Sequence, residues 1–500
     1  MGATWWGQDR VAASFAPLTG DARCDVVIVG AGITGLTAAL RLARAGRKVI
    51  VIEADRVGGG TTGHSSAHLT VETDTDLDQL RSRVGDEAAG AAVRANRAGI
   101  DRIAALDAEM GGAGRFGWVP GWLWTDDRSE LDRLVHLAAL YQRYGESAEA
   151  GVAVPLPGDR RGMRLDAQAM FHPIHYLQGL AALATGAGVT IHEHTAAIDW
   201  DSGAPVTVQT RSGTVTATEL ILATHTPPGV VPSVQTRMAS YLSFLVVVRP
   251  NRPIPAGLYW DMADPYHYLR PLDDGAWLVG GEDLPPGTGD PAAALDRLAA
   301  WARDTLDAGA PTHRWDHMWF EPADGMPYVG RLPLRAHTWV ATGLSGTGLT
   351  WGTWAGEAIA DAIVADTDVD ALFSPSRLRP VGSADRVAKD QAEVAWHFVA
   401  DRLRPTGDHH PADLARGEGR LLTIDGEKLG VYRDDLGALH AVRPVCRHLG
   451  CVVGWNAVDR TWDCPCHGGR YRADGTRFWG PPMSDLEKRR IDDDALPLAE

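Results

Sequence analysis

Residues 24–53 read as strand, glycine turn, helix and strand. An apolar run, 24–29 (CDVVIV), leads into Gly30-Ala31-Gly32-Ile33-Thr34-Gly35. A helical pattern covers 34–45, and a second run, 48–52 (KVIVI), ends at Glu53. Short β-branched runs bounded by glycine suit strands covered on both faces of a parallel sheet. GxGxxG between such a strand and a helix points to a doubly wound α/β sheet with a dinucleotide at its first turn. Gly30 permits the tight turn, Gly32 lets the backbone approach a pyrophosphate, and Gly35 allows close helix–strand packing. The phosphates then sit on the helix N-terminus. Glu53, 18 residues beyond Gly35, is placed to accept hydrogen bonds from a ribose diol. The turn alone does not decide between FAD and NAD.

The chain is 500 residues long, which at roughly 150 residues per domain suggests about three domains. Lysine and arginine total 48 against 64 acids, a net charge of −16. Such a surface repels phosphate backbones, so no nucleic-acid partner is expected. No apolar run approaches the ~18 residues that a membrane span needs. The first residues (MGATWWGQDR) lack the charged-then-apolar order of a signal peptide, so a cytoplasmic protein is expected. Residues 76–144 read as largely helical, interrupted by a strand near 118–124. Residues 188–283 alternate strand patterns and turns. Prolines punctuate 366–415, which reads as a linker with one short helix near 385–403. After Gly419 short strands and turns predominate, an all-β signature.

Five cysteines occur, Cys24, Cys446, Cys451, Cys464 and Cys466, and four of them fall within 21 residues. Such clustering suits a metal site better than a scattered disulfide framework. Cys446-Arg-His448 and Cys464-Pro-Cys466-His467, with 15 residues between His448 and Cys464, offer two thiolates and two imidazoles. That is the ligand set of a Rieske [2Fe–2S] centre, cysteines on one iron and histidines on the other. Zinc is the alternative, but the His-x₃₋₅-His spacing of a zinc-finger helix is absent.

The segment from CDVVIVGAGITG to GGGTTGHSSAHLT resembles the start of the D-amino-acid-oxidase-like FAD oxidoreductases, the group of glycine oxidase and sarcosine oxidase. Three later segments, FHPIHYLQGLAALATGAGVTIHEHT, ELILATHT and HTWVATGLSGTGLTWGTWAGEAIADAI, resemble the same family in the same order. The resemblance implies FAD as cofactor. It also implies contacts to it from Ala54 beside Glu53, and from Thr61, Thr62, Gly63, His64, Ser65, Ser66 and Ala67 in the loop that follows. Ala197, Ala223 and Thr224 belong to the same set, as do Gly343, Gly346, Thr347, Gly348, Leu349 and Thr350. His64 sits where some dehydrogenases of the group carry a histidine bonded to FAD. Here Gly63 precedes it where those enzymes have tryptophan, so a loop or active-site histidine is expected.

CRHLGC and CPCHGGRY resemble the Rieske protein of respiratory cytochrome bc complexes. The resemblance implies a disulfide between Cys451 and Cys466, and a proline loop over the cluster at Gly480-Pro481-Pro482. Tyr471 is kept. Where that family has serine after His-Gly, this chain has Gly469, which removes a hydroxyl bonded to sulfide and implies a lower potential.

The expected fold is an α/β doubly wound FAD-binding domain with an inserted α+β substrate domain, followed by a small all-β Rieske domain. The expected boundaries are a lead-in over 1–23, FAD-binding segments 24–75, 150–240 and 320–365, and substrate segments 76–149 and 241–319. A linker covers 366–415 and the Rieske segment 416–500. Similar bacterial FAD oxidoreductases with a C-terminal Rieske tail share the LFSPSR stretch. A flavin takes two electrons and the cluster one, so their union converts two-electron chemistry into one-electron flow. Residues 49–388 contain no lysine, whereas sarcosine-oxidase-type relatives use one to help oxygen react, which favours electrons leaving through the cluster. The expected activity is hydride removal from a small amine or amino acid C–N bond, with electrons going to a one-electron acceptor. The alternatives are an electron-transfer protein whose Rieske domain feeds the flavin, or a redox sensor. Tyr268 and Arg270 are the catalytic candidates with His64, Arg270 as a carboxylate clamp. His172, His225, Trp260 and Tyr328 are weaker candidates, for which packing or loop roles are expected.

Overall fold

The structure is a computed structural model and describes residues 4–9, 15–406 and 410–491. Parts of the expected lead-in, linker and Rieske segments (1–3, 10–14, 407–409 and 492–500) lie outside the described residues.

A six-stranded sheet runs, in spatial order, Tyr328–Arg331, Thr338–Thr342, Glu219–Leu222, Val26–Val29, Val49–Ile52 and Thr190–His192. Only Tyr328–Arg331 is antiparallel to its neighbour. Every residue of the two N-terminal strands is buried. Val26 and Ile28 face one apolar core, Val27 and Val29 the other, which is why the run is uniformly apolar rather than alternating. Helix Ile33–Arg44 covers one face, and helix Gly348–Ala365 lies on it. A Cβ on Gly356 would come within 2.6 Å of Thr34 O, so glycine sets how closely the two helices approach.

The second layer is a nine-stranded mixed sheet. Its main path is His313–Pro322, Met238–Val248, Trp277–Leu284, His267–Pro271, Leu258–Asp261, Gly117–Thr125, Arg161–Met170 and His68–Leu69, with Ala148–Ala153 paired to Arg161–Met170. This moves one expected boundary. Arg161–Met170, assigned from sequence to an FAD-binding segment, pairs in the nine-stranded sheet along Gly117–Thr125, itself assigned to a substrate segment.

Beyond residue 415 two four-stranded antiparallel sheets follow. One contains Gly419–Ile424, Glu427–Arg433, Leu439–Val442 and Lys488–Arg489. The other contains Gly454–Asn456, Thr461–Asp463, Arg470–Arg472 and Arg477–Trp479. The second sheet is fastened to the mixed sheet through charge. Arg470, fully buried, donates to Asp316 Oδ1 (2.8 Å), Asp463 Oδ1 (3.0 Å) and Asp459 Oδ2 (3.2 Å). Asn456 Nδ2 donates to the other oxygen of Asp316 at 2.9 Å. Gly229 N donates to Pro481 O (2.8 Å) and Arg477 Nη1 to Ala197 O (3.1 Å).

The expected linker is instead a packed strap. Its helix is longer than the sequence suggests, Pro380–Leu403, with proline at the first helical position. Before it, Arg377 is buried in a bidentate pair with Asp324 (2.8 and 2.9 Å). Within the helix, Arg386 pairs with Glu321 and Gln391 Nε2 donates to Thr236 O. Its polar composition reads as solvated from sequence because these anchors are long-range. No helix among the described residues is long and apolar enough to cross a membrane.

Candidate active site and metal centre

A cavity of about 220 Å³ opens where the strands of the six-stranded sheet end. The glycine turn contributes Gly30, Gly32, Ile33 and Thr34, and the second strand's end Glu53 and Ala54. Thr61, Thr62, Ser65 and Ser66 form a side, with Ala197, Ala223 and Thr224. Gly346, Gly348 and Leu349 close the end at the start of helix Gly348–Ala365. At Gly30 φ is +108° and a Cβ would lie 2.5 Å from Ala223 O. Gly35 packs against Gly30 O, out of the cavity, as its close-packing role requires. Glu53 is tethered, accepting from Ala31 N and Asp55 N at 2.9 Å each, which leaves further lone pairs facing the space.

The other expected contacts lie one layer behind. His64 is 5% exposed, with Nδ1 2.9 Å from Gly60 O and its ring edge-on to Trp479 at 5.1 Å. Gly63 is buried with it in the turn Thr61–His64. Ala67 O accepts from Arg270 and Thr350 Oγ1 donates to Asn96 Oδ1. Gly343 has φ +68° against Pro322. Thr347 lines a second space.

That second cavity, about 750 Å³, shares Ser66, His68, His317, Trp319 and Gly346 with the first. Tyr268 and Trp260 line it, and Tyr268 OH lies 3.0 Å from Ser243 Oγ. Arg270 does not line it, which corrects the carboxylate-clamp expectation. Its guanidinium is buried and donates to Pro271 O (3.0 Å), Ala67 O (2.7 Å) and Phe171 O (3.1 Å), over the Trp6 ring. Burial pulls its pKa down to about 9. Arg270 is thus a tie between loops. His172 caps a helix, accepting from His175 N, and Tyr328 is flanked by Arg237 and Arg377. His225 lines the first cavity with Nδ1 3.0 Å from Thr61 Oγ1, and burial holds it neutral, with a pKa of about 3. Sequence reasoning missed His317, whose pKa burial lowers to about 4. It lies mid-strand, with no local motif to mark it. Lys389, one residue past the lysine gap, reaches the second cavity from the strap helix, 76% exposed and beside Glu393.

The four expected metal ligands converge on two loops of the C-terminal domain. Cys446 and Cys464 are buried free thiols, and Tyr471 OH donates to Cys446 Sγ at 3.4 Å. The rings of His448 and His467 are 5.0 Å apart. Burial lowers both to about 4, so both are neutral at pH 7, the form that ligates iron. Cys451 and Cys466 are joined as a disulfide. A tight group of sulfurs also includes both of these with Cys464, but bonded sulfurs are not thiolate ligands.

The donors present fit an iron–sulfur cluster. His448 Nδ1 is buried without a partner, while its Nε2 lies 3.2 Å from Gln235 Oε1. The Gln235 amide is oriented by donating Nε2 to Pro227 O and Gly229 O and accepting from Val231 N. Its oxygen therefore faces His448, the Nε2 carries the proton, and Nδ1 is left as a ligand.

The two sites abut. Met318 and Phe320 line the first cavity, and a Cβ on Gly468, next to His467, would come within 2.7 Å of Met318 Sδ and 3.0 Å of Phe320 Cζ. Arg477, Phe478, Trp479 and Gly480 complete the cavity wall from the C-terminal domain. On the far side of that segment, Pro482 packs on Gly469.

The FAD dependent oxidoreductase (DAO) family matches residues 25–362, and the Rieske [2Fe-2S] domain matches 407–490. The chain is 29% identical over 98% of both chains to YhfW of Bacillus subtilis (strain 168), whose name assigns it a Rieske 2Fe-2S iron-sulfur character. It is 26% identical to the gamma-glutamylputrescine oxidoreductase of Escherichia coli (strain K12), over 78% of this chain and 96% of that one. In fold it is similar to glycine oxidase from Geobacillus kaustophilus, with TM-score 0.61 and 21% identity over 71% of this chain and 99% of that one. The cofactors indicated are FAD and a [2Fe–2S] cluster. The chain belongs to the DAO family of FAD-dependent oxidoreductases and carries a C-terminal Rieske domain.

Proposed function

We propose that this chain is a dehydrogenase that oxidises a C–N bond of a small amine and releases the electrons singly, through its Rieske domain, to an acceptor. FAD, when bound, supplies a two-electron hydride acceptor, and the [2Fe–2S] cluster a one-electron carrier. The glycine turn and Glu53 would hold the dinucleotide. Cys446 and Cys464 would hold one iron, and His448 and His467 the other.

The substrate carbon next to nitrogen loses a hydride, the nitrogen lone pair closes the C=N bond, and a proton leaves nitrogen. Water then splits the imine into a carbonyl compound and an amine. The chain's part is placement. His317, neutral at the junction of the two cavities with Nδ1 unpartnered, can accept a hydrogen bond from the amine. Arg477, Phe478, Trp479 and Gly480 wall the first cavity from the C-terminal domain and narrow the space left for solvent beside the substrate.

The observation that carries the reading is the shared wall. Met318 and Phe320 border the dinucleotide cavity and touch the loop of the His467 ligand. Anaerobic mixing of holoprotein with amines tests it, with NAD(P)H as control. Flavin bleaching followed by the electron-spin signal of a reduced Rieske cluster is expected. Bleaching that reverses only with oxygen, with no cluster signal, overturns it.

A further inference from the structure

We infer that the second cavity selects an amine bearing a second cationic centre and no carboxylate, a diamine- or polyamine-type substrate whose ammonium is received by Glu72 and Asp74. This rests on the amine-oxidising reading above and specifies its substrate class.

The charges in the wall are unequal. Asp76 is neutralised by Arg133 (3.0 Å), Glu321 by Arg386, and Asp261 faces His267 (3.0 Å). Glu72 and Asp74 line the same space, and neither has an ion-pair partner among the described residues. Asp74 Oδ1 lies against Gly346, which borders both cavities, so this carboxyl group stands at the dinucleotide end. Burial pushes Asp74 up to about 8 and Glu72 well above the usual carboxylate range, a cost that an incoming cation relieves.

The polar atoms and rings give a second, independent sign of a ligand. His317 is 8% exposed and its Nδ1 closes no hydrogen bond although the side chain lines the space, and the Trp260 and Trp319 rings, each 6% exposed, line it too. Tyr266 and Tyr268 add two more rings to the wall. Aromatic faces beside unpaired carboxylates are the recognition chemistry of ammonium groups. The group expected to grip a carboxylate, Arg270, is spent on three backbone carbonyls outside the cavity. A carboxylated substrate would meet Glu72 and Asp74, the cations of the wall not already paired with a carboxylate at close range being Arg83, with Nη1 unpartnered, and the exposed Lys389, 3.9 Å from Glu393.

The test is calorimetric titration of the FAD-loaded full chain with putrescine, n-butylamine and γ-aminobutyrate, and with the non-oxidisable bis(trimethylammonium) analogue of putrescine. Putrescine is expected to bind at least about tenfold more tightly than n-butylamine, with γ-aminobutyrate weakest. Glu72→Gln and Asp74→Asn are each expected to reduce that preference about tenfold, the scale of a charge-assisted hydrogen bond. A preference for γ-aminobutyrate, or equal binding of all three amines by the unmodified protein, overturns the inference even if either variant fails to fold. If the dications bind with the expected preference while no amine bleaches the flavin, the inference stands and the oxidation reading falls. If γ-aminobutyrate or n-butylamine bleaches it and the dications do not bind, the reverse holds.

Discussion

Position 469 shows what one missing side chain does to a redox centre. A Cβ there would lie 3.2 Å from Cys446 Sγ but 2.8 Å from Pro482 Cγ, so a serine hydroxyl can reach the sulfurs only if the proline loop gives slightly. A hydrogen bond worth about 1 kcal/mol more to the reduced cluster corresponds to about 40 mV for one electron. Gly469→Ser is therefore expected to raise the midpoint by about that much, with Gly469→Ala as the control for the loop shift. Equal midpoints for the two variants would show that the hydroxyl makes no such bond. Arg270 teaches the opposite lesson. Arg270→Met leaves three buried carbonyls without their donor, at about 1–3 kcal/mol each. A lower melting temperature and weakened FAD retention are expected, because Ala67 O belongs to the cofactor loop. Undiminished stability with loss of carboxylated substrates alone would restore the clamp. The metal set was legible because its spacing is local. The role of Arg270 was not, because both faces of its strand are covered and alternation does not say which neighbour takes the guanidinium.

Among the elements, strand Arg470–Arg472 of the C-terminal domain does most to fix where that domain sits. Its Arg470 meets Asp316 of strand His313–Pro322, one residue from His317 in the cavity wall. Arg470→Met would leave Asp316, Asp459 and Asp463 buried with their shared cation gone, a loss of about 3–5 kcal/mol. Denaturant titration should show that loss, and cluster reduction by substrate should slow with it. An unchanged midpoint would mean that the network is dispensable. The uniformly apolar strands were readable because burial on both faces removes every polar position. Ala148–Ala153 and Arg161–Met170 escaped because arginines and acids on their open face, such as Arg164 paired with Asp166 at 2.9 Å, resemble loop composition. The strap helix was cut short for a similar reason, since Arg386 and Gln391 look solvated until their partners 65 and 155 residues away are known.

Across the whole molecule, the consequence is that both redox sites are built from one chain in one fixed arrangement. Gly229 and Ala197 on one side bond Pro481 and Arg477 on the other, and the buried Arg470 network spans the same boundary. The loops that carry the cluster ligands are thereby turned inward, with Nε2 of His448 bonded to Gln235. Electrons should then cross within a chain at a rate independent of protein concentration. A mixture sharpens the point. Cys464→Ser removes a cluster ligand, and Gly30→Val, at φ +108° with a Cβ 2.5 Å from Ala223 O, blocks the dinucleotide turn. Neither chain alone can reduce a cluster with substrate, and an equimolar mixture should do no better on the timescale of the intact protein. Recovery of the reduced-cluster signal in the mixture, growing with concentration, would place the working contact between chains and make the interface seen here a resting one.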